Sequence, residues 1–119
     1  MSWYLTKVIY RIICGTGDHK AQFDEQLRLV EASSKQEAFE KARAIGKKEQ
    51  IIFRNEKQQQ VQWKFVDVCE VYQLHEIVDG TEIYSRIEEK DDAAFYEDVV
   101  HKKAHYLLAE TEVPHLQLS

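Results

Sequence analysis

The sequence predicts an α+β domain: an antiparallel β-sheet of about four to five strands packed against two helices, in the order β-β-α-β-β-β-α. Three observations carry that expectation. Runs rich in β-branched and aromatic residues alternate in polarity with a period of two. Two other segments repeat their apolar residues at helical spacing. Between the strand-like runs lie Gly, Asp and Asn residues that accept the backbone angles of tight turns.

The first strand runs from Trp3 to Cys14, "WYLTKVIYRIIC". Tyr4, Val8, Tyr10, Ile12 and Cys14 share one face, which is the core face. The other face sets Trp3, Leu5, Ile9 and Ile13 among Lys7 and Arg11, so it is only half apolar and suited to cover by another chain. Gly15, Gly17 and Asp18 turn the chain back. The second strand, "FDEQLRLVEA", is expected to put Phe23, Leu27 and Leu29 on the core and Asp24, Gln26 and Arg28 in solvent.

"SSKQEAFEKARAIGKK" then holds Ser34 and Glu37 at capping-box spacing, so a helix starts there. Ala38, Phe39, Ala42 and Ile45 form its narrow apolar face. Gly46 is expected to supply a left-handed stop, with Lys47 and Lys48 favourable at the helix C-terminus.

"EQIIFRN" reads as a short strand, "EKQQQ" as a turn and "VQWKFVDVCEVYQL" as a long strand. Val61, Trp63 and Phe65 have one parity, and Val68, Tyr72 and Leu74 the other. A bulge near Val66, or burial on both faces, would reconcile them. Asp79-Gly80 is a hairpin signal leading into a fifth strand, "TEIYSRI". The last helix lies in "DDAAFYEDVVHKKAHYLLAE", with acidic residues at its start and Tyr96, Val99, Val100, Ala104 and Leu107 along one side. Residues 1–110 are expected to form a single domain and 111–119 a tail outside its core.

With 119 residues, 44% hydrophobic, four Gly and one Pro, the chain can bury one core without disulfides or a structural metal. Cys14 and Cys69 sit in apolar runs and read as reduced, buried thiols, a Cys14–Cys69 disulfide being the alternative. The net charge of -5, from 21 acidic and 16 basic residues, argues against a phosphate-binding surface, so no nucleic-acid partner is expected. No leader precedes the first strand and no apolar run approaches the roughly 18 residues of a membrane span; a cytoplasmic protein is expected, with no membrane contact.

The residues "DEQLRLVEASSKQEAFEKARAIG" from Asp24 to Gly46, "VQWKFVDV" from Val61 to Val68 and "DGTEIYS" from Asp79 to Ser85, following Trp3 at a strand start, carry a family likeness. Over about residues 3 to 87 the chain resembles a small bacterial family, domain of unknown function 4288. The resemblance implies an intracellular bacterial single-domain α+β protein. It brings no catalytic residue, substrate or cofactor with it.

Three sets of residues are candidates for chemistry. His101 and His105 stand four apart on the last helix with Glu97 one turn earlier, a spacing that lets side chains reach one metal ion; His75 or His19 would have to complete the set. Flanking polar residues on an amphipathic helix look the same, and no Glu follows His101 as a metalloprotease pattern requires. Asp79, Glu82 and Tyr84 could bind a cation or do acid–base work beside the Asp-Gly turn; turn hydrogen bonding and an outer strand face explain them more simply. Trp3, Leu5 and Ile9 mark the half-apolar strand face as an interface.

No phosphate loop, nucleophile elbow or dinucleotide motif is present, and the cysteines lack Cys-x-x-Cys spacing. The reading that follows leans away from an enzyme. It is a non-enzymatic domain without a cofactor that binds another protein or itself, most simply as a homodimer. Its alternatives are a metal site at Glu97, His101 and His105, and an acidic regulatory or immunity-type protein that binds a basic partner.

Overall fold

β1 (Ser2–Cys14) is the spine of the sheet. It pairs antiparallel with β2 (Gln22–Ala32) on one side and with β4 (Gln60–Leu74) on the other, and β3 (Ile51–Arg54) adds to the outer edge of β4. The strand order is β2-β1-β4-β3. Helix α1 (Lys35–Lys48) joins β2 to β3, and α2 (Ala93–Thr111) follows the last strand. This computed structural model describes residues 1–111, and the expected tail beyond Thr111 lies outside the described residues.

The fold is the expected α+β, antiparallel one, and the described residues form four strands and two helices in the order β-β-α-β-β-α. The described residues fall into two compact units, one comprising Met1–Ser85 and a second beginning at Arg86. The sheet and α1 make up the first.

Local chemistry explains the turns. Gly15 and Gly17 take positive φ (58° and 83°), which an L side chain resists, and they carry the chain from β1 into β2. Between β3 and β4 the Asn55 carboxamide oxygen accepts the N–H groups of Lys57 and Gln59, a side chain standing in for backbone in a turn. Gln58 there adopts φ 63°.

α1 begins as the capping-box spacing predicts: the Ser34 hydroxyl oxygen accepts the Glu37 N–H at 3.1 Å. The return arm differs, because the Glu37 carboxylate accepts from the Ser33 hydroxyl. Gly46 also differs from expectation. It is not a left-handed stop but a buried residue inside the helix, which runs on to Lys48. A Cβ built on Gly46 would stand 2.3 Å from Cε1 of Phe65, so the glycine is needed for the close approach of helix and sheet.

α1 lies over the face of β1 that carries Tyr4, Val8 and Tyr10. Tyr4, Val30, Ala32 and Ala38 form one buried cluster, and Val8, Tyr10, Ala42 and Val68 another. Thr6, on the same face and buried, donates its hydroxyl to the Arg28 carbonyl.

β4 changes phase twice. Tyr10 pairs with Phe65 and Ile9 with Asp67, leaving Val66 unpaired; Val8 pairs with Val68 and Lys7 with Glu70, leaving Cys69 unpaired. The bulge expected near Val66 is therefore present, and a second one follows it. The first puts Val68 with Trp63 and Phe65 on the helix side, and the second puts Tyr72 on the opposite face. Cys69 at this bulge is exposed and Cys14 half-buried, both free, so the expectation of two buried thiols is corrected while that of no disulfide stands.

The fifth strand is absent. Asp79-Gly80 does make a turn, with Gly80 at φ 87° and the Thr81 N–H donating to the Val78 carbonyl. Residues 81–90 that follow are irregular rather than paired. The side-chain bond that fixes this turn comes from Thr81, whose hydroxyl oxygen accepts the Val78 N–H, rather than from Asp79.

Candidate functional site

The sheet has two unlike faces, and β2 distributes its residues between them against expectation. Residues in register share a face, so Leu29, Leu27 and Phe23 stand with Leu5, Lys7 and Arg11, away from α1. They keep 48%, 51% and 55% of their surface exposed. Asp24, Gln26 and Arg28, expected in solvent, instead face the helix side.

There they form a continuous polar ladder. The Trp63 indole N–H donates to Asp24 Oδ2 at 3.1 Å, and the Gln26 amide donates to the same oxygen at 2.7 Å. Arg28 donates to Gln26 Oε1 through Nε and Nη2, and through Nη1 to Glu49 Oε2 at 2.6 Å, just past the end of α1. Nearby the Tyr10 hydroxyl donates to the Gly46 carbonyl at 2.8 Å. Burial pushes the Tyr10 phenol above its ordinary pKa, which keeps it a donor. Tyr10, Gln26, Arg28, Glu49 and the stacked Phe53 and Trp63 rings line an open hollow of about 340 Å³. Each member satisfies its neighbour, so the ladder reads as a polar closure of the sheet beyond the helix end.

Sequence reasoning missed this ladder. The signal was available as a donor–acceptor series, Asp24, Gln26, Arg28, on alternate residues of one strand.

On the opposite face, segment 75–85 lies over one end. Ile77, Val78 and Ile83 line a hollow with Leu29 and Leu74, and Leu5, in register between Leu29 and Tyr72, is only 3% exposed. Tyr84 packs edge-on against Tyr72, donates to Glu70 at 3.5 Å, and has Lys7 Nζ 5.8 Å from its ring centre. Lys7 lies 3.5 Å from Glu70 and 3.7 Å from Glu25. Desolvation pulls the lysine pKa down, but Glu25 and Glu70 outweigh it and hold the ammonium form above its ordinary range. A lysine held protonated in this way is no nucleophile at neutral pH.

Of the expected interface residues, therefore, Leu5 is covered by the chain itself, Ile9 is half-buried and Trp3 remains exposed. Asp79, Glu82 and Tyr84 come together around an open hollow of about 590 Å³ that His75 and Glu76 also line. Tyr84 is tied to the Lys7–Glu70 pair. Glu97, His101 and His105 are exposed along α2. His19 is used locally: its Nε2 accepts the Cys14 N–H while Nδ1 faces the Lys20 carbonyl at 2.8 Å. Among the described residues no group of three or more His, Cys, Asp or Glu stands where it could hold a metal ion. Nor is any described helix long and apolar enough to cross a membrane.

The two-bulged β4, the capped α1 and the Asp79-Gly80 turn lie within the stretch that a family model matches, residues 3–85, described as Domain of unknown function (DUF4288). The chain belongs to this family. Its matched residues end where the first compact unit ends, at Ser85, so the DUF4288 module is the sheet with α1 and the covering segment 75–85. No curated protein and no solved structure matches the chain.

Proposed function

We propose that the DUF4288 module is a cytoplasmic, non-enzymatic interaction domain whose open sheet face docks a partner protein. The carrying observation is the row Phe23, Leu27 and Leu29, half-exposed on edge strand β2 on the side away from α1. A sheet that turns its apolar residues outward and its hydrogen-bonding residues toward its own helix leaves an apolar patch where a solvated face is the rule. Glu25 and Glu31 stand on the same face of β2, and the chain carries a net charge of -5, so the fitting partner has an apolar patch rimmed by Lys or Arg. The free thiols of Cys14 and Cys69 suit a reducing compartment.

The test is affinity capture from a bacterial lysate with the wild-type chain and Leu27→Lys side by side, at stepped salt. Proteins retained by the wild type and lost with the variant are expected, with retention falling as salt rises. Identical retention by both chains would remove the sheet face from consideration.

A further inference from the structure

The sheet has two edges, and the chain treats them differently. β3, at one end, is only four residues long. Beyond it the outer side of β4 is broken by the bulges at Val66 and Cys69, and side chains take its N–H groups: Gln50 Oε1 accepts from Phe65 at 2.9 Å and Asp67 Oδ1 from Val68 at 2.8 Å. Short edge strands, bulges and covered amides keep a sheet from pairing with other chains. β2, at the other end, has eleven residues in unbroken register with β1 and no proline.

Alternate residues of a strand turn their N–H and C=O groups to opposite sides. The Arg28 carbonyl points toward β1, where the Thr6 hydroxyl donates to it, so Phe23, Glu25, Leu27, Leu29 and Glu31 present their backbone groups outward. Lys41 Nζ donates to the Glu31 carbonyl at 2.9 Å and closes the edge at that end. Among the described residues nothing is bonded to the outward groups from Phe23 to Leu29. What stays open is a run of backbone donors and acceptors centred on Gln26, and the occupant that satisfies such a run is another extended backbone.

We propose that β2 pairs antiparallel with β2 of a second copy about a two-fold axis at Gln26, joining the two sheets into one. In that register Phe23 exchanges hydrogen bonds with Leu29 of the other copy and Glu25 with Leu27, so the open groups from Phe23 to Leu29 are all used and Glu31 is left to Lys41. Phe23 then lies beside Leu29 on the open face, and Asp24 beside Arg28 on the helix side.

Both charges have capacity to spare. Asp24 accepts within the chain through Oδ2 alone, and Arg28 commits one N–H each from Nε, Nη1 and Nη2, which leaves a second N–H on each terminal nitrogen. Neighbouring registers fit worse. An axis at Glu25 sets that carboxylate on its own copy, and an axis at Arg28 sets like guanidinium groups together and Glu25 beside Glu31. An axis at Leu27 calls on the Glu31 carbonyl that Lys41 holds and puts Phe23 beside the Glu31 carboxylate. The homodimer expected from the sequence is thereby referred to the β2 edge rather than to Trp3, Leu5 and Ile9. This goes beyond the sheet-face reading and does not rest on it.

Cross-linking of the full chain, with Cys14 and Cys69 replaced by Ser, tests the register. Gln26 on the axis would form a non-hydrogen-bonded pair with its own copy, the pair whose side chains stand closest, so Gln26→Cys is expected to give a disulfide-linked dimer under mild oxidation. Leu27→Cys is expected to stay monomeric. No dimer from Gln26→Cys, or self-linking of Leu27→Cys as fast as of Gln26→Cys, overturns the proposal.

Sedimentation equilibrium supplies an independent measure. The Leu27 N–H faces outward and serves no bond to β1, so Leu27→Pro removes a junction donor from each copy while the sheet keeps its own ladder. It is expected to weaken association by on the order of tenfold or more, with circular dichroism retained. Leu27→Lys, which tests the sheet face, is expected to be as dimeric as the wild type. A monomeric wild type, or a dimer kept in Leu27→Pro, would overturn the pairing and leave the sheet-face reading standing.

Discussion

The two faces of the DUF4288 sheet spend the same kinds of residue in opposite ways. On the helix side, Tyr10 and Trp63, Asp24 and Arg28 all find partners, and no buried side-chain nitrogen or oxygen among the described residues lacks one. On the other side Phe23, Leu27 and Leu29 are left half-exposed. Polarity alone does not say which side of a strand is inside. The side with a closed packing and hydrogen-bond account is the stability of the fold, and the side without one is where function is to be sought.

If that division is right, substitutions on the helix side should unfold the protein and those on the open side should not. The largest effect is expected at Gly46→Ala. The new methyl would overlap the Phe65 ring, which is itself held edge-on to Tyr10 at 6.0 Å. Overpacking costs typically about 1–3 kcal/mol, and the helix propensity gained by Ala returns up to about 1 kcal/mol. A net loss of about 1–2 kcal/mol in urea unfolding is expected, with part of it restored by Phe65→Leu. An unchanged midpoint would mean that the helix and sheet are not in close approach there.

Asp24→Ala comes next. It removes the acceptor shared by Trp63 and Gln26 and leaves the indole N–H unpaired, for an expected loss of about 1 kcal/mol. Thermal unfolding and a shift in tryptophan fluorescence would record it. Were Asp24 solvated, as strand alternation suggests, neither would move.

A smaller effect is expected from acid. The Asp67 carboxylate accepts the Val68 N–H and a two-pronged contact from Arg43, at 3.0 and 3.2 Å. The backbone N–H does most to depress its pKa; desolvation opposes, and Arg43 and then Lys47 add to the depression. A carboxylate with a lowered folded pKa contributes stability that is present above the unfolded value, about 3.9, and lost as pH falls through the folded one. Asp67→Asn should therefore be less stable than the wild type at pH 7 and converge with it at low pH. Both groups are substantially exposed, so the difference is modest.

What was legible in the sequence was whatever local chemistry decides. The Ser34 cap, the Gly15 and Gly17 turn, the Asp79-Gly80 turn and the irregularity near Val66 each depend on a few neighbouring residues. What misled was tertiary. Gly46 reads as a helix stop because a Gly followed by two Lys commonly is one, and only the Phe65 ring from another element shows why it is there. The β2 alternation gave the right strand and the wrong face, since its apolar set is larger than its Val30–Ala32 end, which is what α1 covers. The "TEIYSRI" run has strand composition but takes no place on a sheet edge: it lies over the open face, with Ile83 beside Leu29 and Leu74 and Tyr84 packed against Tyr72.

The smallest expected effect on stability is the one that most sharpens the comparison. Leu27→Lys places a charge on the open face in register with Lys7, whose ammonium already has Glu25 and Glu70 beside it. The replaced side chain is half in water, so little transfer free energy is lost and the long lysine stem can lie along Leu29 while its ammonium stays hydrated. A change within about 0.5 kcal/mol is expected in urea unfolding, alongside loss of captured partner protein. If Leu27→Lys instead cost as much as Gly46→Ala, the row Phe23, Leu27 and Leu29 would be core rather than contact surface. The two faces would then differ in degree and not in kind.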